Sequence, residues 1–239
     1  MMHKEGDHME VLVVNLKNAG YAEKKNTIED IHFKIAEGEL VGLIGPNGAG
    51  KSTILKAILG LLDEINGDIF LKDKYAYIPE QPTYFEELTL WEHITLAKAV
   101  NEEDDDNFFQ HAIELVTIFR LQDVKHHYPS SFSKGMQQKL MIIIAILIKP
   151  KLYIVDEPFI GLDPKAIKDF LLILEKERKR GAAILMCTHV LDTAEKICDR
   201  FLLMNNGHLI AEGILDEIRT QSGTDGSLMD CFYEFMERD

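Results

Sequence analysis

The stretch GLIGPNGAGKSTILKAIL, residues 42–59, runs from an apolar entry through a glycine-studded middle to a Lys-Ser-Thr exit. Within it the run Gly45, Pro46, Asn47, Gly48, Ala49, Gly50, Lys51, Ser52, Thr53 fits G-x-x-x-x-G-K-[ST]. That pattern has chemical meaning when a buried strand precedes it and a helix follows. Both flanks are present: ELVGLIG (39–45) is apolar, and 51–61 has helical spacing. Gly45, Gly48 and Gly50 let the backbone turn its N–H groups inward toward an anion, and the helix amino terminus adds partial positive charge. The whole run reads as a phosphate cradle. Lys51 is placed to reach the β- and γ-phosphates of a nucleotide, and Ser52 to offer a hydroxyl to Mg²⁺.

Further Val-, Ile- and Leu-rich segments lie at EVLVVN (10–15), KLYIVDE (151–157), AAILMCTH (182–189) and RFLLMNNGHLIAEG (200–213). The segments at 39–45, 151–157 and 182–189 are apolar throughout, the pattern of strands covered on both faces. Helical patterns follow at 51–61, 164–180 and 190–198, and this alternation predicts an α/β P-loop domain with a mostly parallel core sheet. Asn205-Asn206-Gly207 predicts a hairpin and an antiparallel edge. Between them, TLWEHITLAKAV, NFFQHAIELVTIFRL and SKGMQQKLMIIIAILI have helical spacing with no strand pattern. The chain thus reads as one domain: an α/β core (1–85 and 150–215), an inserted helical subdomain (86–149) and a short extension (216–239). The acidic run NEEDDD (101–106) reads as a solvated loop or helix start, because nothing spaces its carboxylates around an ion. KERKR (176–180) reads as the solvated last turn of a helix.

The 239 residues are 46% apolar, enough for a large core without a metal or disulfide. Cys187, Cys198 and Cys231 lack metal-ligand spacing, which fits a reducing compartment. MMHKEGDHMEVLVVN lacks the charged start and apolar run of a signal peptide. The longest apolar run, LMIIIAILI from Leu140 to Ile148, is about half of what a spanning helix needs, so a membrane role is expected to come through a partner. A formal net charge of −14 argues against binding a phosphate backbone.

In LYIVDEP (152–158) a buried strand ends in two carboxylates. Asp156 can hold Mg²⁺ through water and Glu157 can polarise an attacking water. Together with the phosphate cradle they make a candidate hydrolysis site.

A third element, SFSKGMQQKL from Ser131, follows the helical insert and precedes LYIVDEP. The order phosphate loop, helical insert, Ser-x-Gly at a helix start, Asp-Glu, GLD and a strand ending in His resembles the ATP-binding subunit of an ABC transporter, over residues 10 to about 215. The resemblance implies ATP and Mg²⁺ as cofactors. It implies that Tyr21, in NAGYAEKKN after the first strand, stacks on adenine. Ser133 and Gly135 match the signature that contacts the γ-phosphate held by the opposite subunit. Asp163 matches the loop that signals between two sites, and His189 in CTHVLDTAE the switch histidine. Phe132-Ser133-Lys134-Gly135-Met136 departs from the family's LSGGQ at Lys134 and Met136. In YIPEQP the usual Gln position falls on Glu80, with Gln81 next; either can ligate Mg²⁺.

YIPEQPTYFEELTLWEHI, FSKGMQQKLMI, YIVDEPFIGLDP and CTHVLDTAEKICDR are most similar to Ecs-type bacterial exporter ATPases. That resemblance implies a chain at the cytoplasmic face of the cell membrane, partnered by a multi-span permease and by a second copy or a homologous ATPase subunit. It implies export of peptides or related substrates. The alternative is a soluble ABC-type ATPase acting on nucleic acid or ribosomes; the tandem nucleotide domains and the zinc or coiled-coil insertions typical of such proteins are not seen, and the acidic charge disfavours it.

Overall fold

The structure is a computed structural model, and the residues it describes are 9–101 and 106–238. The chain begins with β1 (Glu10–Tyr21), β2 (Lys24–Ala36) and β3 (Leu40–Ile44), then α1 (Lys51–Ile58), β4 (Glu64–Leu71) and β5 (Tyr75–Ile78). It continues through α2 (Leu90–Val100), α3 (Phe108–Ile118) and α4 (Lys134–Ile148), with single tight helical turns at 122–124 and 129–131. Then follow β6 (Leu152–Asp156), α5 (Pro164–Lys179), β7 (Ala183–Thr188), α6 (Leu191–Ile197), β8 (Arg200–Asn205), β9 (His208–Gly213), α7 (Leu215–Ser222) and α8 (Leu228–Arg238).

Among the described residues the strands form two sheets, β2-β1-β4 and β5-β6-β7-β3-β8-β9. The larger is parallel from β5 to β8, with β9 added antiparallel at the edge. Its central strands are apolar throughout because each face meets a different core. Tyr153, Val155, Ile184 and Met186 pack on the helices α2–α5. Their neighbours Leu152, Ile154, Ala183 and Leu185 pack toward α1 and the smaller sheet. The α/β architecture read from the sequence is therefore the one observed, and parallel strands buried on both sides explain why their polarity does not alternate. The turn between β8 and β9 has Asn206 at φ 45° and Gly207 at φ 85°, the two positive φ values that a tight hairpin turn needs.

Three strands carry no expectation from the sequence: β2, β4 and β5. In β2 only Ile31, Phe33 and Ile35 alternate cleanly inward, and its start is polar. β4 is largely exposed, so it offers little apolar signal, and β5 is four residues long. β1 runs on to Tyr21, so this tyrosine is the strand's last residue rather than part of a following loop. The last turn of α5 is more than a solvated end. Glu177 is buried, accepting from Tyr153 Oη at 2.8 Å and from Arg180 Nη2 at 2.7 Å, while Arg178 reaches Gly38 O and Asp199. The acidic-run expectation falls on 101–106, of which 102–105 lie outside the described residues.

Because β5, β6, β7 and β3 are parallel neighbours, their carboxyl ends line one edge of the sheet, the edge where open α/β sheets hold ligands. The segments leaving these ends are Glu80-Gln81, Asp156-Glu157, Thr188-His189 and the Gly45–Lys51 loop.

Candidate functional site

The loop after β3 is shaped by two close approaches. A Cβ on Gly45 would lie 2.6 Å from the Met204 carbonyl oxygen, so the chain leaves the strand only with glycine there. Gly50 sits at φ 110°, and a Cβ would meet Ile28 Cγ2 at 2.7 Å, so a side chain is excluded by conformation and by space. Gly207 N–H donates to Ala49 O at 2.9 Å and ties the loop to the β8–β9 turn. Lys51, the first residue of α1, is buried and donates from Nζ to Gly45 O at 2.6 Å and Pro46 O at 3.1 Å, spanning the loop. Pro46, Asn47, Gly48 and Ser52 are exposed at its mouth, and Ala49 and Thr53 lie beneath. The first turn of α1 carries no acid, so its positive pole is left for an anion.

β6 delivers the carboxylates. Glu157 follows the strand at φ 45°, held in that sparsely populated conformation by its N–H bond to Cys187 O at 2.9 Å. Its side chain is mostly buried; Oε1 meets His189 Nδ1 at 2.7 Å and Oε2 accepts from Thr188 Oγ1 at 3.3 Å. Asp156 Oδ2 accepts from Tyr77 Oη at 3.3 Å. Burial, then the charges of Glu157 and Glu80, raise the Asp156 carboxyl above its ordinary range, against the pull of Tyr77 and Lys51. Burial, then Asp156, pushes the Tyr77 phenol far up, and burial does the same to the Cys187 thiol beneath the site.

Three acids thus share one neighbourhood with a single buried lysine, an excess of negative oxygen that suits a hard divalent cation. Among the described residues no three His, Cys, Asp or Glu side chains come close enough to hold an ion alone. Mg²⁺ keeps waters and completes its shell with substrate phosphates. The side chains that could hold such an ion are Ser52, Asp156 and Glu80, whose charge reaches Asp156; Gln81 is exposed one position further on.

A second group forms where α4 meets α5. Ser133 caps α4, its Oγ accepting from Met136 N at 3.3 Å. A Cβ on Gly135 would collide with Gly161 O, so α4 starts in backbone contact with the loop after β6. Asp163 caps α5 by accepting from Ala166 N at 2.9 Å and also takes Lys139 Nζ at 3.0 Å; these bonds hold its carboxyl below the usual range. Gln138 Nε2 donates to Pro79 O at 3.1 Å and Gln137 to Tyr84 Oη at 3.0 Å, joining α4 to the segment that carries Glu80. Tyr21 stands partly exposed with Lys56 Nζ of α1 5.1 Å from its ring centroid, which places the ring beside the phosphate-loop helix.

Lys51, Asp156, Glu157, His189 and Glu80 therefore gather in one place, and Ser133, Gly135 and Asp163 in another. Tyr77 and Thr188 escaped the sequence reading. Thr188 sits in a strand-like run and Tyr77 in β5, a strand that carries no expectation from the sequence, and a hydroxyl on a strand carries no pattern that says what it meets.

Loop, strand-end carboxylates and sheet order define a P-loop nucleotide hydrolase. Comparison with known proteins narrows the class. Residues 28–160 match the family model described as ABC transporter. The ABC transporter ATP-binding protein YthP of Bacillus subtilis (strain 168) is 51% identical over 231 residues, spanning 96% of this chain and 98% of that one. The ABC-type transporter ATP-binding protein EcsA of the same organism is 40% identical over 244 residues, spanning 97% and 98%. A solved ATP-binding subunit of an ABC transporter superposes with a TM-score of 0.90 at 41% identity, covering 95% of this chain and 99% of that one. The chain belongs to the ABC transporter family, as an ATP-binding subunit. It is an ATPase whose cofactors are ATP and Mg²⁺.

Proposed function

We propose that this chain powers a separate multi-span membrane permease from the cytoplasmic face of the cell membrane, through two copies that close head to tail on two ATP molecules. The observation that carries the reading is that the candidate residues fall into two groups. Lys51, Asp156, Glu157 and His189 gather at the carboxyl edge of the sheet, while Ser133 caps α4, Gly135 meets Gly161 and Asp163 starts α5. A second copy would supply the second group. When bound, Mg²⁺-ATP supplies the phosphoryl group to be cleaved and the charge that both copies grip.

The residues divide the work. Tyr21 offers a π-face to adenine. Lys51 and the backbone N–H groups of the Gly45–Thr53 loop, to which Pro46 contributes none, hold phosphate oxygens, while Ser52, Asp156 and Glu80 hold the metal, with Gln81 as the alternative to Glu80. Glu157 takes a proton from the attacking water, and His189 steadies its carboxylate through the 2.7 Å contact. Ser133 and Gly135 of one copy face the γ-phosphate held by the other, and Asp163 links the two sites. Residues 86–149 form the helical subdomain. Between it and the segment after Glu80 lies an apolar cleft of about 480 Å³, lined by Tyr84, Phe85, Leu96, Met141 and Ile144 among others; it suits a cytoplasmic helix of the permease. Among the described residues no helix is long and apolar enough to cross a membrane. Export of peptides or related substrates rests on the Ecs-type resemblance of the motifs.

Two experiments test this. Glu157→Gln is expected to stop steady hydrolysis yet keep ATP binding and yield ATP-dependent dimers by light scattering; normal turnover would remove Glu157 from the role of base. Tagged protein recovered from detergent-solubilised membranes is expected to bring a stoichiometric multi-span protein. Recovery only with ribosomes or nucleic acid would move the function to a soluble ATPase.

A further inference from the structure

β6 and β7 keep parallel register up to the pair Asp156–Cys187. Glu157 and Thr188, the next residues, therefore leave neighbouring strands at the same level. Thr188 is fully buried, and a buried hydroxyl needs a partner for its oxygen and another for its hydrogen. Val190 N–H donates to Thr188 Oγ1 at 3.1 Å, closing a short turn around His189. The hydrogen is then left for an acceptor, and the one it meets is Glu157 Oε2 at 3.3 Å. The other oxygen of that carboxylate meets His189 Nδ1.

We infer that Thr188 is a positioning residue for ATP hydrolysis: its one hydroxyl orients the Glu157 carboxylate and fixes the turn that carries His189, so that the two move as a unit. A threonine at a strand end is often satisfied by the turn alone. Here the second bond adds a role, because it decides which carboxylate oxygen is engaged from beneath. The β-branched side chain holds Oγ1 in a narrow range of χ1, which makes even this long bond a directional restraint. The inference rests on Glu157 acting as the base.

The test uses the full chain with Thr188→Val, which keeps shape and removes the hydroxyl, Thr188→Ala, which displaces nothing, and Thr188→Ser, which restores the hydroxyl. Each is made alone and in the Glu157→Gln background, with kcat and KM for ATP, single-turnover rates for the Gln chains, and Tm recorded. Expected are a kcat lowered about tenfold in the Val and Ala chains with KM for ATP unchanged, and most of the rate recovered by Ser. With Gln at 157 the Val substitution should change the residual rate less than about twofold, because the groups act together. An equal loss in both backgrounds would mean that Thr188 supports the fold only, and overturns the inference. A Val chain with the wild-type kcat, while Glu157→Gln is inactive, overturns it and leaves Glu157 as base. A fully active Glu157→Gln chain overturns both. Should the Val chain fail to fold, the Ala chain carries the same comparison.

Discussion

Lys51 shows how one side chain can be set by its loop and wait for its ligand. Its ammonium satisfies Gly45 O and Pro46 O at the helix start, so the charge is already desolvated and aimed where phosphate oxygens would replace those carbonyls. Lys51→Ala is expected to weaken ATP binding itself by at least about tenfold, read by titration without turnover, since a charged hydrogen bond is worth about 1.5–3 kcal/mol; unchanged affinity would count against the cradle. Asp156 has the opposite balance. Burial and the charges of Glu157 and Glu80 raise its carboxyl above the ordinary range, so folding favours the protonated form. Its stabilising contribution is present below the unfolded carboxyl range, near pH 4, and is lost as pH rises through the raised value. Asp156→Asn should therefore raise the Tm of the ligand-free chain at pH 7, with the difference fading toward pH 4, while abolishing Mg²⁺-dependent stabilisation by ATP. A lower Tm at pH 7 would show that the carboxylate is not strained by its surroundings.

Among the elements, α4 touches both neighbouring segments of the site. Its amino terminus meets the loop after β6 backbone to backbone at Gly135 and Gly161, and two glutamines bind it to the segment after β5. Gly135→Ala puts a Cβ against a carbonyl that cannot step aside cheaply. It is expected to destabilise the chain by about 1–3 kcal/mol, spare ATP binding at Lys51 and cut hydrolysis at least about tenfold; wild-type kcat would show that the α4 start tolerates displacement. Such contacts also mark where sequence reading stops. The phosphate loop was legible because glycine, lysine and serine at fixed spacing have one common physical use, and β3, β6 and β7 because double-sided burial leaves uninterrupted apolar runs. β4 was not, since an exposed strand with Asn66-Gly67 inside it reads as a turn. The bond from Thr188 to Glu157 was not, because it depends on register between strands 31 residues apart. The polar ties of Arg178 and Arg180 in KERKR depend likewise on residues distant in the chain or buried beneath it.

For the whole molecule, the decisive question is whether one chain completes a site. In a head-to-tail pair each site joins Lys51 of one copy to Ser133 of the other, so the two half-sites are separable by mutation. Ser133→Asp suits the test, because aspartate still caps α4 through the Met136 N–H while placing negative charge where the γ-phosphate would arrive. Chains with Lys51→Ala alone, or Ser133→Asp alone, should each be inactive. Mixed, half of the dimers would pair one of each. In such a pair one site combines both defects, and the other combines an intact Lys51 with an intact Ser133. Activity should then return to roughly a quarter of wild type, if the two sites fire independently. Placing both substitutions in one chain and mixing it with wild type leaves no complete site in the mixed dimer, so that mixture should recover nothing beyond its wild-type homodimers. No recovery in the mixture of the two inactive single variants would mean that each chain completes its own site, and full activity of Ser133→Asp alone would mean that hydrolysis does not need Ser133.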